Sequence, residues 1–200
     1  IHMIGIGGIS MSGIAVMLKK TGFDVTGSDS MGSAMVEMLE AEGIPVHIGS
    51  NPDLVKDADM VVYTAAINLK TDKEYLEAVR LNKPVFERAP FLGKMLKQYD
   101  KPICIAGMHG KTTTTSMIAS ALQTAGANPT VLVGSKLKEL NNFNYSIGKN
   151  EYFVLESCEY VDSFLNFPGD TAIILNIEEE HLDYFKDLDD IKDSFAKFIG

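Results

Sequence analysis

Ile103-Cys104-Ile105-Ala106-Gly107-Met108-His109-Gly110-Lys111-Thr112-Thr113-Thr114-Thr115 is an apolar run that passes through a glycine-flanked turn into a helical pattern. Strand, glycine turn and helix in that order form the unit from which parallel α/β sheets are built. The stretch also reads as a phosphate cradle. Its glycines let the backbone turn tightly and aim N–H groups inward, and the helix N-terminus adds the positive end of its dipole, roughly half an elementary charge. Lys111 offers an ammonium and Thr112 a hydroxyl for Mg²⁺. A standard Walker A loop wants glycine five residues before Gly110, where this chain has Ile105, so the loop is the shorter G-x-x-G-K-T. The alternative is a glycine-rich turn with a surface lysine.

Downstream, Met117, Ile118, Ala121, Leu122 and Ala125 recur at helical spacing, and Gly126 is placed to cap that helix. Pro129 to Val133 reads as a strand, and the polar stretch Gly134 to Lys149, with Asn141, Asn142 and Asn144, as a loop. Glu151 to Leu155 is a buried strand ending at Glu156, and Thr171 to Leu175 is another, ending at Asn176 and followed by Ile177 to Asp183. In a parallel sheet both ends lie on the edge that carries the phosphate loop. A carboxylate at a strand end beside such a loop can hold Mg²⁺, so Glu156 is the first candidate ligand, the alternative being a surface carboxylate. His181 is the second, because an imidazole just past a strand could bind a second metal ion, although Mg²⁺ prefers oxygen. A solvent-exposed loop histidine is the alternative there. Leu188, Ile191, Phe195 and Phe198 space an amphipathic helix whose apolar face needs a cover.

Upstream, the same rhythm repeats. Ile1 to Ile6 is an apolar strand, followed by Gly5-Ile6-Gly7-Gly8-Ile9-Ser10-Met11-Ser12-Gly13 and a helix closed by Gly22. Phe23 to Gly27 reads as a strand ending at Ser28-Asp29, with Asp29 where a ribose-binding acid belongs in a dinucleotide fold. Ser10 replaces the third fingerprint glycine, so a nucleotide diphosphate at this helix N-terminus fits as well as NAD. Then come a helix from Ala34 to Glu42 with Met35, Met38 and Leu39 inward, strands at Ile44 to Ile48 and Met60 to Tyr63, a helix from Asp72 to Leu81, a strand at Pro84 to Phe86 and a helix from Arg88 to Gln98. The methionines read as core fillers, and His2 and His47 as hydrogen-bonded structural residues within strands. Gln98-Tyr99-Asp100-Lys101-Pro102 is a polar joint, which divides the chain into residues 1–100 and 101–200. The fold class is therefore α/β, a Rossmann-like parallel-sheet domain followed by part of a P-loop-type ATP-binding domain.

Composition bounds the function. The 200 residues are 46% hydrophobic and 22% charged, values of a soluble globular protein. A formal charge of -9 argues against a nucleic-acid partner. Cys104 and Cys158 form no C-x-x-C pair, which points to a reduced, cytoplasmic setting, and no apolar run is long enough for a membrane span. The chain opens inside a strand without an initiating methionine, so a piece of a longer protein is expected.

These motifs resemble the Mur ligase family of peptidoglycan synthesis, and within it the alanine-adding branch. Gly5 to Ala15 is similar to that branch's G-x-G-G-x-x-M-S-G-x-A signature, and Gly107 to Thr114 to the family ATP loop G-T-H-G-K-T-T-T. Glu156 to Phe164 resembles the acidic segment, and Asn176 to Asp183 resembles N-I-x-x-D-H-L-D. The resemblance implies ATP-dependent amide synthesis between L-alanine and the lactyl carboxylate of UDP-N-acetylmuramate, with ATP and Mg²⁺ bound. It implies a UDP-sugar domain over residues 1–100, an ATP domain beginning at 101, and a carboxy-terminal domain beyond these residues. By that likeness Gly107, Met108, His109, Gly110, Lys111, Thr112 and Thr113 contact ATP, with Lys111, Glu156 and His181 serving catalysis. Thr112 and Glu156 hold Mg²⁺, and His181 holds a second ion. Gly7, Gly8 and Ser10 approach the UDP diphosphate, and Asp29 faces the nucleoside. Several positions depart from the pattern. Met108 replaces threonine and sets a thioether beside the phosphates, Ser146 stands where a cationic residue is usual, Glu180 replaces aspartate, Ser50 replaces histidine and Pro90 replaces glutamate. A non-catalytic UDP-sugar-binding module or a drifted paralogue is the rival reading.

Overall fold

The computed structural model describes residues 1–140 and 142–200, with the side chain of Glu139 outside the description. Asn141, assigned to the polar loop, lies outside the described residues. The chain forms two compact units, Ile1–Phe91 and Leu92–Gly200. The division falls within the helix Arg88–Leu96, ahead of the Gln98 to Pro102 joint.

The first unit is a five-stranded parallel sheet built from β1 (His2–Ile4), β2 (Thr26–Asp29), β3 (Val46–Ile48), β4 (Val61–Tyr63) and β5 (Val85–Glu87), in the order β3-β2-β1-β4-β5. Helices α1 (Ile9–Lys20), α2 (Ala34–Ala41) and α3 (Lys73–Arg80) make the crossovers, and α4 (Arg88–Leu96) follows β5. Strand order reverses between β1 and β4, the position where such sheets open a crevice at their carboxyl ends. Ile4, Val55, Val61 and Ala78 are buried together, with Tyr63 and Tyr75 packed against them edge to face at 5.2 Å. Ser33 caps α2 by accepting from the Val36 amide at 3.3 Å, and Asp72 caps α3 by accepting from Tyr75 at 2.8 Å.

The second unit contains β6 (Lys101–Ala106), α5 (Lys111–Thr124), β7 (Pro129–Leu137), β8 (Phe143–Ser146), β9 (Lys149–Glu156), β10 (Thr171–Ile174) and α6 (Leu188–Ile199). Its sheet order is β10-β6-β9-β7-β8, parallel except for the antiparallel β7–β8 pair. The acids and amides that follow β9 and β10 therefore flank the loop that follows β6. The Ile105, Val131, Val133 and Val154 side chains form the core under α5. Gly126, at φ +78, closes α5 as expected, its N–H reaching the Gln123 carbonyl. The apolar face of α6 finds its cover on the turn Tyr160–Asn166, where Phe164 meets Phe195 at 5.0 Å and Phe198 at 4.6 Å.

Several local expectations are corrected. The stretch Gly134 to Lys149 is not a loop, because β7 runs on to Leu137 and turns back as β8. Hydrogen bonds between main-chain groups hold that hairpin, so its polar side chains give no sign of it. On α5 the buried residues are Thr115 and Ala119, with Ile118 and Leu122 half-buried, while Met117 is 66% exposed. Small side chains there let the helix lie close to the sheet. Met31 is also exposed, so the methionines are not all core fillers, and on α2 Val36 and Leu39 are buried while Met35 and Met38 are half-buried. β2 starts at Thr26 and leaves Phe23 exposed. β10 lies at a sheet edge, so its first residues are exposed rather than buried. His47 is exposed for the same reason on edge strand β3, whereas His2 is buried and hydrogen-bonded.

Among the described residues no helix is long and apolar enough to cross a membrane. Burial pushes the Cys104 thiol up to about 11, against a weaker opposing hydrogen bond with Ser157, while Cys158 is exposed. A thiol reagent at neutral pH is therefore expected to label Cys158 and to spare Cys104 until the chain is denatured. Peptide mapping of the labelled native chain checks this, and native modification of Cys104 would contradict its burial.

Candidate functional site

The turn between β6 and α5 is built by two glycines with positive φ, Gly107 at +139 and Gly110 at +82. Gly110 occupies the N-cap of α5 without a side-chain cap, and no acid lies in the first helical turn. The helix thus begins with uncompensated N–H groups and its positive dipole end. Asn176, just past β10, clasps the turn from outside. Its carbonyl accepts from the Met108 amide at 3.4 Å, its side-chain oxygen accepts from the His109 amide at 2.9 Å, and its side-chain nitrogen donates to the His109 carbonyl at 3.0 Å. Met108 itself is 5% exposed. The side chain is thus buried and not presented at the surface of the turn.

Lys111 opens α5 and folds back over the turn. Its Nζ donates to the Gly107 carbonyl at 2.6 Å and to the Met108 carbonyl at 3.2 Å, and pairs with the Glu159 carboxylate at 3.0 Å. The next residue, Thr112, donates its hydroxyl to Glu156 at 3.0 Å, and the Gly134 amide reaches the same carboxylate at 2.8 Å. A hydroxyl and a carboxylate meeting in this way are the oxygen donors that a hard divalent cation takes. Thr113 is exposed, and the His109 ring, also exposed, lies 3.7 Å from Glu178.

His181 does not meet Glu156. Its Nε2 lies 3.2 Å from Glu159, and Glu159, Glu180 and His181 offer ligand atoms all within 4.8 Å of one another. Glu159 is the residue missing from the candidates. Its side chain is 1% exposed and joins Lys111 to His181. Its only signal in the chain is its place in the segment Glu156 to Phe164, where Glu156, Glu159 and Asp162 recur at every third residue. The segments carrying Glu159 and His181 are cross-tied: Tyr160 donates to Asp183 at 2.6 Å, Tyr184 donates to Asp162 at 2.7 Å, and Ser194 also donates to Asp162. These carboxylate partners hold both tyrosine hydroxyls above their ordinary pKa, so both stay protonated donors at neutral pH. Val161 and Asp162 adopt left-handed φ of 50 and 56, as does His181 at 55, strain of the kind that surrounding contacts must over-determine.

The first unit holds a separate feature, a cavity of about 660 Å³ at the carboxyl ends of β1 to β4, lined among others by Gly7, Gly8, Ser28, Asp29 and Ser50. That volume lies within the range of small-ligand sites. Asp29 both lines the cavity and closes the glycine turn, its carboxylate accepting from the Gly7 amide at 2.8 Å and from the Met31 amide at 3.3 Å. The Gly8 amide is also engaged, on the Gly5 carbonyl at 3.3 Å. Neither glycine amide is held free for a diphosphate. Ser10 lies off the cavity wall, where its hydroxyl accepts from Arg88 Nη1 at 3.3 Å.

A model of the Mur ligase family catalytic domain matches residues 1–100, and one of the Mur ligase middle domain matches residues 105–200. The UDP-N-acetylmuramate--L-alanine ligase of Caldicellulosiruptor saccharolyticus is 53% identical over 196 residues, which are 98% of this chain and 43% of that protein. The protein so named in Caldanaerobacter subterraneus subsp. tengcongensis is 50% identical over 200 residues, 100% of this chain and 43% of its own length. The chain thus spans less than half the length of these curated relatives. The crystal structure of UDP-N-acetylmuramate-alanine ligase MurC from Thermotoga maritima matches with a TM-score of 0.90 at 31% identity, over 98% of this chain and 46% of that one. A UDP-N-acetylmuramate:L-alanyl-gamma-D-glutamyl-meso-diaminopimelate ligase from Neisseria meningitides matches with a TM-score of 0.87 at 30% identity, over 99% of this chain and 66% of that one.

Proposed function

The chain belongs to the Mur ligase family, and from that premise we propose that it carries the nucleotide-sugar-binding and ATP-binding parts of a ligase that joins L-alanine to UDP-N-acetylmuramate. Residues 1 to about 100 take the UDP-sugar, and those from about 101 form a P-loop-type ATP domain. One observation carries the reading: Lys111, Thr112 and Glu156 converge at the glycine turn that heads an uncapped helix. The names and identities of the relatives support the choice of substrates.

In this reading Gly107 and Gly110 present the turn backbone to the β and γ phosphates of ATP, His109 borders them with its exposed ring, and Lys111 leaves Glu159 to meet the γ-phosphate. Thr112 and Glu156 would hold Mg²⁺, with a second ion at His181 and Glu159. Bound there, a divalent cation supplies neutralisation of phosphate charge. A lactyl carboxylate oxygen attacks the γ-phosphorus as its bond to the bridging oxygen breaks and ADP departs. The alanine amine then attacks the acyl carbon, phosphate leaves, and the amine gives one proton to water. The protein's part is positioning and electrostatic stabilisation. Gly7, Gly8 and Asp29 border the UDP-sugar in the cavity of the first unit, and Ser10 acts behind that wall through Arg88. The need for ATP puts the reaction in the cytoplasm.

The test uses a protein that carries this chain together with the remaining length of its relatives. Supplied with ATP, Mg²⁺, UDP-N-acetylmuramate and L-alanine, it is expected to release ADP and the alanyl product in equal amounts. A well-folded protein that binds UDP-N-acetylmuramate yet makes no product would leave only a binding module.

A further inference from the structure

Glu74, in the first turn of α3, is fully buried and yet belongs to the wall of the cavity in the first unit. A buried carboxylate needs partners, and this one has them from three other segments. Its Oε1 accepts from the Asn51 amide at 2.7 Å. Its Oε2 accepts from the Ser28 hydroxyl and lies 3.3 Å from His2 Nε2. His2 is itself fully buried, with Nδ1 2.9 Å from the Thr26 hydroxyl. An ionised carboxylate only accepts, so His2 must carry its proton on Nε2. Burial pushes the Glu74 carboxyl up, but hydrogen bonds from His2, Ser28 and Asn51 together outweigh it and hold the group below the usual carboxylate range. The side chain is charged at neutral pH.

One of these partners lies in the cavity wall and a second directly follows it in the chain. Ser28 belongs to its wall, and Asn51 follows the wall residues Gly49 and Ser50. Because Ser28 donates to Glu74, its oxygen lone pairs are left for whatever lies on the other side. We propose that Glu74 is a positioning residue for the nucleotide-sugar cavity, pinning the turn at Asn51 and fixing Ser28 as a hydrogen-bond acceptor toward the ligand. This rests on the assignment of that cavity to UDP-N-acetylmuramate. A wall ordered before the ligand arrives need not be ordered on binding, and affinity gains accordingly.

Glu74→Gln separates direction from shape. The amide oxygen can still accept from Asn51, but its nitrogen must donate to Ser28 and to His2. Ser28 then turns its proton toward the cavity, and His2 moves its own proton to Nδ1, which donates to Thr26. Every buried group keeps a partner, so the fold survives while the polarity of the wall reverses. In this 200-residue chain, calorimetric titration with UDP-N-acetylmuramate is expected to show roughly tenfold weaker binding for E74Q, with ATP affinity unchanged. Nitrogen NMR of the His2 ring is expected to show the switch of tautomer, which reports that the hydrogen-bond chain through residue 74 has reversed in the folded variant. If E74Q fails to fold, Ser28→Ala removes one donor, leaves Glu74 its other partners, and is expected to weaken the same ligand at least about threefold. Equal affinity of the folded variant and its parent overturns the inference and leaves the cavity assignment standing. A parent chain that binds no UDP-N-acetylmuramate overturns the assignment and the inference together.

Discussion

Lys111→Ala is expected to lower ATP-dependent product formation about 10²- to 10³-fold, the loss seen when one preorganised charge-stabilising group is removed from an active site. The ammonium is already delivered to the turn, held by two of its carbonyls and by Glu159. In the proposed reading only a short move from Glu159 to a phosphate would remain, with no reordering of the loop. UDP-N-acetylmuramate affinity should stay within about twofold, because the cavity proposed for it is lined by residues of the first unit and none of them is a partner of Lys111. The same change leaves Glu159 buried with His181 as its remaining ionic partner. A loss of about 1–3 kcal/mol of stability is expected from that, so rates must be read well below the melting transition. Lys111→Arg should not restore turnover, since a planar fork does not replace a compact ammonium threaded between carbonyls. Product assays alongside calorimetry with each ligand decide the matter. A fall in UDP-sugar affinity as large as the fall in turnover would contradict the separation of the two sites.

Gly107→Ala is expected to weaken ATP binding roughly ten- to hundredfold, an effect of one to three kcal/mol of local strain carried into the loop. At φ +139 an alanine is strained whatever its surroundings. Its Cβ would also stand 3.0 Å from the Leu175 Cβ and 3.2 Å from both the nitrogen and the oxygen of Asn176. Asn176 is the clasp on this same turn, so relief in one place breaks hydrogen bonds in the other. Thermal unfolding of the second unit should begin earlier while the first is unaffected. Wild-type ATP affinity in the variant would show that the turn does not contact nucleotide.

The strand, turn and helix at residues 103–124 were legible because each step has a strong local cause: an unbroken apolar run, glycines at positive φ, and a helix that stops ahead of Gly126. The meeting of Thr112 with Glu156 followed from topology, since β6 and β9 are neighbours and their ends coincide. What stayed hidden depended on partners distant along the chain. Glu159 is buried because Lys111 and His181 come to it from both directions, and no property of residues 156–164 announces that. The hairpin at 129–146 was hidden because its pairing is main-chain, and the exposure of Met117 because helix register follows from how closely Ala119 approaches the sheet.

The interior position of β6, second from the sheet edge, has a consequence for the chain as it is made. β6 pairs with β9 on one side and β10 on the other, and with neither of the strands adjacent to it in the chain. A nascent chain that has reached Ala106 must extend by roughly 50 residues before Glu156 completes the first partner, about 3 to 10 s of synthesis at ordinary speeds. Throughout that interval the apolar strand Ile103 to Ala106 has no sheet to join. The strand that leads into the glycine turn thus waits on the rate of translation, and slow codons between residues 106 and 156 would lengthen its exposure.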